Sequence, residues 1–470
     1  MIGRSIVASA TSPGTDLSVG RIEEPKFSRL QSVTFFVCGL MAFSGSLKEV
    51  PPFSLSSVDL TLMTTITAVG LALLYTILIG SLPVGRAAAV LLLLLCVAAA
   101  GSIVAIPTEY AAQKASRIFI VTLPAALAIL LAVRNHIDAY RFTRMLLILA
   151  VAQSFFINIG GQRQYGFGRL TTEGGTTISF GRAAGFVVVA AAAWLMSSRQ
   201  AGATKTTLIL AVAGFEVWTV LAIASKGPIL GMTVALAAML ILQLHRIEIR
   251  TAVRLTFLVA VMTTAMTIVW FQIPELSRQR LTLFGGDGST DSRQEAWDFT
   301  WQNLSGSLIG NGWGSWDVAS PIPIVYPHNL LLEVWFEAGL IGLIAFIAAF
   351  WIAARNQDRI FTHDYFRGTL GLGVVIYWLT TAMVSGELND NKVLVVLLIA
   401  GAAPLLTPDA DSEAVDDGDD IPDERSMSLA ELVVAAELAH SLAREPAPAD
   451  LVGSGVGVRT EAEISPPVQP

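Results

Sequence analysis

A short polar motif, Pro327-His328-Asn329, stands where a long polar segment gives way to an apolar one. Proline fits the start of a helix, where its missing N–H costs nothing. Asn329, Glu333 and Glu337 are spaced four residues apart, so they lie along one face of that helix. Carboxyl groups that enter hydrocarbon are costly unless they face a cavity or a partner. The pattern therefore predicts a functional face on this helix, with a histidine at its beginning.

The composition indicates the environment in which these residues act. Hydrophobic residues make up 53% of the 470 positions and charged residues 14%, and the mean hydropathy is +0.63. A soluble protein could not hide so much apolar surface. The apolar residues form blocks long enough to cross a bilayer, which takes roughly 20 residues per helix. The sequence therefore predicts an all-α polytopic membrane protein.

Hydropathy also predicts the number and direction of the spans. About twelve transmembrane helices are expected, over residues 31–48, 59–80, 87–106, 117–133, 143–160, 178–197, 206–224, 227–244, 252–273, 329–354, 368–385 and 393–407. Lys and Arg are concentrated in the connecting segments that lie inside if the N-terminus is cytoplasmic, which favours a cytoplasmic location for both termini. Cys38 and Cys96 fall inside apolar blocks, so neither a disulfide nor a thiolate metal site is predicted.

This topology divides the chain into parts. Residues 1–30 are a cytoplasmic N-terminal segment, residues 31–407 a transmembrane domain, and residues 408–470 an acidic cytoplasmic tail that is predicted to be disordered. Residues 274–328 form a large extracytoplasmic loop, and loops of this length are often functional. Within it, residues 291–304 are predicted to form a short amphipathic helix with Ala296, Trp297 and Thr300 on one side. The outward-facing loop 386–391 could line the path of an acceptor.

Only one histidine is predicted to lie on the outer side. The others are His136, His245 and His363 in inner connections and His440 in the tail. Because an imidazole titrates near neutral pH, it can accept a proton from a weakly nucleophilic hydroxyl group. His328 is therefore the candidate catalytic base. Asp287 and Asp291 lack the ligand count of a calcium loop, so we expect a metal-independent reaction with no metal site.

These motifs resemble the O-antigen ligase and O-antigen polymerase superfamily of bacterial membrane proteins. The hallmark of that family is Pro-His-Asn near the end of a large periplasmic loop, followed by Glu-x-Gly-x-x-Gly, which residues 337–342 match. Lesser matches are Ser292-Arg293 with Trp297 and the run Gly310-Asn311-Gly312-Trp313-Gly314, then Ser225-Lys226-Gly227, and Gly168-Arg169-Leu170 with Gly181-Arg182. Lys226 stands where the family commonly has arginine, and lysine lacks the two-pronged geometry suited to phosphate oxygens.

The resemblance implies glycosyl transfer from an undecaprenyl diphosphate-linked glycan, without a nucleotide sugar or other cofactor. It also implies a multi-spanning fold similar to the C-type glycosyltransferases. A departing diphosphate needs cations at its oxygens, and arginine is the best partner for such anions. The predicted diphosphate-binding residues are Arg293, Arg169, Arg182 and Lys226, all on or near the outer face, and the predicted supporting residues are Glu337, Asn329 and Glu333.

Three functions remain open at this point. The leading one is the polymerisation of lipid-linked oligosaccharide repeat units into a surface polysaccharide or exopolysaccharide. A ligase that places a finished glycan on a lipid core or protein uses the same donor and differs only in the acceptor. A 12-span transporter or flippase is less favoured, because the long loop is outside and follows the ninth span. The expected location is the bacterial inner membrane, and the expected partners are the lipid-linked glycan, membrane lipid and flippase, chain-length or export proteins, with no nucleic acid.

Overall fold

The computed structural model describes most of the predicted transmembrane domain. The described residues are 28–48, 59–82, 85–163, 170–171, 177–197, 202–243, 288–304 and 308–405, with six single positions between 260 and 278. Most of the predicted ninth span, the N-terminal segment before residue 28 and the acidic tail lie outside the described residues, so the predictions made for them are not addressed by the structure.

The described part of the chain is helical apart from one short ladder. The helices are α1 (Ser28–Leu47), α2 (Leu60–Ile79), α3 (Arg86–Ala100), α4 (Glu109–Arg117), α5 (Leu123–Ala132), α6 (His136–Gly160), α7 (Thr177–Ser197), α8 (Ala203–Ile223), α9 (Lys226–Gln243), α10 (Gly288–Asn303), α11 (Ser315–Ala319), α12 (Leu330–His363), α13 (Tyr365–Ala382) and α14 (Lys392–Gly401). A π-helical turn, Ile118–Thr122, joins α4 to α5, and a 3-10 turn, Leu388–Asn391, precedes α14. The ladder pairs β1 (Gln162–Arg163) with β2 (Leu170–Thr171), antiparallel.

Several of these helices can cross a membrane. Among the described residues, seven helical segments are long and apolar enough by length and composition, namely 29–47, 60–79, 109–132, 136–160, 178–197, 203–223 and 330–363, and two shorter apolar helices cover 86–100 and 226–242. Each predicted span except the ninth overlaps a described helix. The prediction of an all-helical polytopic membrane protein is confirmed.

Several helix boundaries differ from the predicted spans, and two of the differences have a local cause in a capping residue. The span predicted at residue 117 begins instead at Glu109, because the Thr108 hydroxyl caps the helix by accepting from the Ala111 N–H at 3.2 Å. α6 begins at His136 rather than residue 143, since Asn135 caps its first turn. α12 continues past residue 354 to His363 as a more polar extension. The predicted amphipathic helix is confirmed as α10, in which Ala296 and Thr300 are buried.

Small side chains allow the helices to pack closely. α12 makes its most extensive contact with α3, and α13 with α9 and α7. Along α12, Ala338, Gly342, Ala345 and Ala349 recur every three or four residues and are all buried, so one narrow face approaches α3. The alanine-rich α7 is 78% buried in its apolar window, which makes it the central helix of the described bundle.

A break in α12 determines how the outer loop meets the bundle. Gly339 has φ 72° and ψ −173°, outside the helical region, and therefore interrupts the backbone ladder. The carbonyls of Phe336 and Glu337 instead accept hydrogen bonds from the backbone N–H groups of Asn311 and Gly312, at 3.0 and 2.9 Å. A further hydrogen bond runs in the opposite direction, from the Ile341 N–H of the helix to a backbone carbonyl of the loop. The glycine-rich segment 310–314 thus fills the gap that the break leaves.

Candidate active site

His328 occupies a constrained position immediately before α12. Its φ is +53°, a left-handed conformation that costs a residue other than glycine roughly 1–3 kcal/mol and that clusters at functional sites. The imidazole packs against Tyr326, with ring centroids 4.3 Å apart. Its Nδ1 atom is buried and has no hydrogen-bond partner among the described residues. The strained backbone therefore holds a ring nitrogen whose hydrogen-bonding capacity is not used by the described residues.

The electrostatic environment keeps this imidazole neutral. Burial of the ring, together with the positive charges of Arg293 and Arg182, lowers the pKa of His328 from 6.5 to about 4. At neutral pH the ring is therefore unprotonated, which is the form that a general base requires. The same two charges make the surroundings of His328 favourable for an anion.

α10 brings two of the predicted cations to this place. The indole N–H of Trp297 donates to the Pro327 carbonyl at 2.8 Å, which attaches the helix directly to the Pro-His-Asn motif. Arg293 lies one turn before Trp297, on the same face of α10. At the beginning of α10, Thr290 accepts a hydrogen bond from Lys226 Nζ at 3.2 Å. Arg293 therefore lies near His328 and Lys226 contacts the same helix about one turn earlier, whereas Arg169 lies outside the described residues.

Arg182 is also near His328, but most of its donors are already in use. Its side chain is buried in α7, and Nη2 donates to the backbone carbonyls of Thr381 (3.1 Å) and Ser385. Nη1 donates to Asn391 Oδ1 at 3.1 Å. These contacts hold the connection between α13 and α14 in place. Arg182 can therefore supply positive charge to the site, while only part of its guanidinium remains available for phosphate oxygens.

Glu333 and Glu337 meet a lysine that the motifs did not identify. Lys114 Nζ lies 2.7 Å from a carboxylate oxygen of each, and all three side chains are fully buried. The predicted functional face of α12 therefore faces a partner, as the cost of burying carboxylates requires. This geometry favours a supporting role for Glu333 and Glu337, because Lys114 lies between their carboxylates.

This buried ion cluster extends into the connection before α14. Glu387 Oε2 lies 3.8 Å from Lys114 Nζ and accepts a hydrogen bond from the Tyr110 hydroxyl at 2.7 Å. The Leu388 N–H donates to Glu333 Oε1 at 3.2 Å. Sequence reasoning missed Lys114, Tyr110 and Glu387 as a group, since residues so distant along the chain share no motif. The sequence contained one signal that could have identified them: Lys114 and Glu387 carry opposite charges and lie in two connections that are predicted to be on the outer side.

Asn329 has a local structural task. Its side chain accepts a hydrogen bond from the Leu332 N–H at 3.1 Å and thereby caps α12. The cap fixes the direction in which the helix leaves His328. No group of three or more His, Cys, Asp or Glu side chains suited to a metal ion occurs within the part of the chain that the structure describes.

The fold and the site define a polytopic membrane protein whose histidine and arginines gather at one end of a helical bundle. Residues 208–347 match the family model described as O-Antigen ligase, from α8 through the break in α12. This part of the chain is therefore an O-antigen ligase domain, and the resemblance seen in the sequence is confirmed over these residues. The matched region contains Lys226, Arg293 and His328 and excludes Arg169 and Arg182. No curated protein matches the chain.

Proposed function

We propose that this protein is a glycosyltransferase of the bacterial inner membrane that polymerises undecaprenyl diphosphate-linked repeat units on the outer side. The observation that carries the proposal is the position of His328, neutral and with a buried, unpartnered Nδ1 among the described residues, beside Arg293 and Arg182. The O-antigen ligase domain supports transfer of a glycan in polysaccharide assembly. The full proposal includes twelve spans, a C-type glycosyltransferase-like fold and cytoplasmic termini.

The proposed reaction is a single displacement at the sugar carbon that bears the diphosphate. An acceptor hydroxyl oxygen forms a bond to this carbon, and the carbon–oxygen bond to the diphosphate breaks. The hydroxyl proton passes to a ring nitrogen of His328, and the diphosphate leaves with the electron pair of the broken bond. Arg293 and Lys226 stabilise the departing oxygens by charge-assisted contacts. Arg182 adds further positive charge near His328.

Donor binding is expected to activate the base. The positive charges of Arg293 and Arg182 lower the pKa of His328 in the unliganded protein. A diphosphate anion between these groups would offset both charges, so the pKa would rise toward the usual value for histidine. The imidazole would then be a better proton acceptor when the donor is present. This arrangement would restrict proton abstraction to the complex that can react.

A ligase is the second candidate, because the matched family is described as O-Antigen ligase. Polymerase and ligase share the donor and the chemical step, and they differ only in the molecule that carries the attacking hydroxyl group. The residues around His328 act on the donor side of the reaction and suit both. The lipid-linked glycans that accumulate when the enzyme is absent therefore distinguish a polymerase from a ligase.

The test is the size distribution of lipid-linked and surface glycans in a deletion strain carrying wild type, His328→Ala or His363→Ala. A polymerase defect leaves single repeat units on the carrier lipid, whereas a ligase defect leaves full-length polymer there. We expect the deletion and His328→Ala to accumulate single units. His363→Ala serves as the matched control, since His363 ends α12 far from the motif, and normal glycans are expected. Normal glycans with His328→Ala would contradict the assignment of the base.

A further inference from the structure

A polar cavity of about 250 Å³ lies beside the candidate active site and includes none of the Pro-His-Asn residues. Its wall combines the end of α1, the beginnings of α2, α7 and α14, the π-helical turn and part of α13. Arg182 is part of this wall and also lies close enough to His328 to affect its pKa. Arg182 therefore links the cavity to the surroundings of His328.

Charged groups of both signs line the cavity. The cations are Lys48, Arg117, Arg182 and Lys392, and the carboxylates are Asp59 and Asp390. Lys392 is buried and donates to Ser44 at 3.0 Å. The cavity therefore carries an excess of positive charge, but it also offers acceptors to the hydroxyl groups of a ligand.

Two buried polar groups in the wall have no partner among the described residues. They are the hydroxyl group of Thr122 and Nε of Arg182, and their residues are 4% and 3% exposed. Buried polar groups without a hydrogen bond are uncommon and need an explanation. Thr122 lies at the end of the π-helical turn, and such turns frequently occur at functional sites. The wall therefore contains two polar groups whose hydrogen-bonding capacity is not used by the described residues.

The lining distinguishes between classes of ligand. A phosphate ester or diphosphate group would pair with the cations but would be opposed by Asp59 and Asp390, and when fully ionised it has no hydroxyl groups to donate to them. A sugar that bears one carboxylate can use both kinds of lining group, since its carboxylate pairs with the cations and its hydroxyls donate to the aspartates. The volume lies just below the roughly 300–1,000 Å³ of typical ligand pockets, which suits one sugar residue.

We infer that this cavity binds an acidic sugar residue of the acceptor glycan, which holds the acceptor hydroxyl group near His328. The inference rests on the proposed function and adds to it the substrate class of the acceptor. A carboxylate-bearing sugar in the cavity would lie next to Arg182. The enzyme would then select acidic repeat units by charge.

Binding can be measured on the full-length protein in lipid nanodiscs with methyl β-glucuronide as the probe. Methyl β-glucoside is the matched neutral sugar, because it differs only in having a hydroxymethyl group in place of the carboxylate. Saturation-transfer NMR suits the affinity of a single sugar, for which a dissociation constant of about 1 mM is expected. The glucuronide should bind and the glucoside should bind at least about fivefold more weakly. Failure of the glucuronide to bind, or equal binding of both sugars, would overturn the inference.

Variants locate the bound sugar. Arg117→Gln removes an exposed cation of the wall, and Thr122→Val removes the unpartnered hydroxyl with little change in shape. Each should weaken glucuronide binding at least about fivefold, while the control Arg355→Gln, at an exposed ion pair near the other end of α12, should not. Unchanged binding by both cavity variants would place the probe elsewhere. Displacement by inorganic phosphate would indicate a general anion site or a lipid phosphate site, and would also overturn the inference.

Cell-based measurements separate this inference from the proposed function. In the complemented deletion strain, Arg117→Gln should shorten or reduce the polymer, whereas His328→Ala should abolish it. Normal polymer from Arg117→Gln with none from His328→Ala would reject the acceptor cavity and leave the proposed function intact. Normal polymer from His328→Ala would reject the catalytic assignment, whatever the cavity binds.

Discussion

Replacing Lys114 with methionine keeps the length of the side chain and removes its charge. In the wild type, Nζ lies 2.7 Å from both Glu333 and Glu337, and none of the three side chains is exposed. At an effective dielectric constant near 20, each of these contacts is worth about 6 kcal/mol of Coulomb attraction, most of which offsets the desolvation of the charges. Removal of one partner from such a cluster leaves buried carboxylates without compensation. We therefore expect Lys114→Met to lower the free energy of unfolding by about 3–5 kcal/mol.

Equilibrium unfolding in mixed detergent, followed by tryptophan fluorescence, measures this change, and Trp313 lies 5.9 Å from Lys114 Nζ. Lys48→Met is the matched control, since Lys48 is exposed and the change should stay within about 0.5 kcal/mol. Adding Glu333→Gln and Glu337→Gln to Lys114→Met should recover most of the loss, because the uncompensated charges are then absent. Equal stability of Lys114→Met and Lys48→Met would refute the reasoning, as would a triple variant less stable than the single one.

Three further predictions concern backbone strain, a guanidinium and a histidine. Gly339→Ala should destabilise the protein by about 1–3 kcal/mol or more, since the new Cβ would lie 2.4 Å from the Gly310 nitrogen, whereas Gly214→Ala, with open space around it, should change unfolding little. Arg182→Lys should cost at least about 2 kcal/mol and abolish polymer formation, because lysine cannot reach the same three acceptors; unchanged unfolding would contradict this. Since the folded pKa of His328, about 4, lies below 6.5, the unfolded chain binds more protons between these values. Wild type should therefore lose more stability than His328→Gln as the pH falls from 7 to 5, and parallel pH profiles would argue against a neutral buried imidazole.

The sequence predicted the features that depend on local pattern. Hydropathy located most of the described helices, although α4 and α11 were not predicted, and the spacing of apolar residues located α10 within the outer loop. The boundary predicted between the spans 206–224 and 227–244 lies at Ser225, between α8 and α9. The motif containing His328 was identified without the structure, because topology left no other histidine on the outer side. Its catalytic role stays a prediction, although its geometry suits a base.

Long-range partners were not predictable in the same way. An isolated sequence does not indicate that Lys114 meets Glu333 and Glu337 across more than 200 positions, because charge pairing depends on how the helices pack. The same limit applies to Arg182, which was interpreted as a phosphate ligand from its charge, its place near the outer face and the resemblance of Gly181-Arg182 to a family motif. Its contacts with backbone carbonyls follow from the path of the α13–α14 connection, which hydropathy does not determine.

The Pro-His-Asn motif stands directly before the Glu-x-Gly-x-x-Gly motif, and this order follows from the contacts that fix the first part of α12. Its first segment, from Leu330 to Ala338, is fixed by the Lys114 cluster and, at the break, by the loop N–H groups that bond to Phe336 and Glu337. His328 immediately precedes this segment, so its place relative to the bundle is set by contacts made up to nine residues later. A rigid support of this kind is what a base in a strained backbone conformation requires, since a displacement of about 1 Å can cost roughly 100-fold in rate. Gly339 permits the break and Gly342 the close approach of α3, and we expect these two glycines to support the position of His328 rather than to contact the glycan.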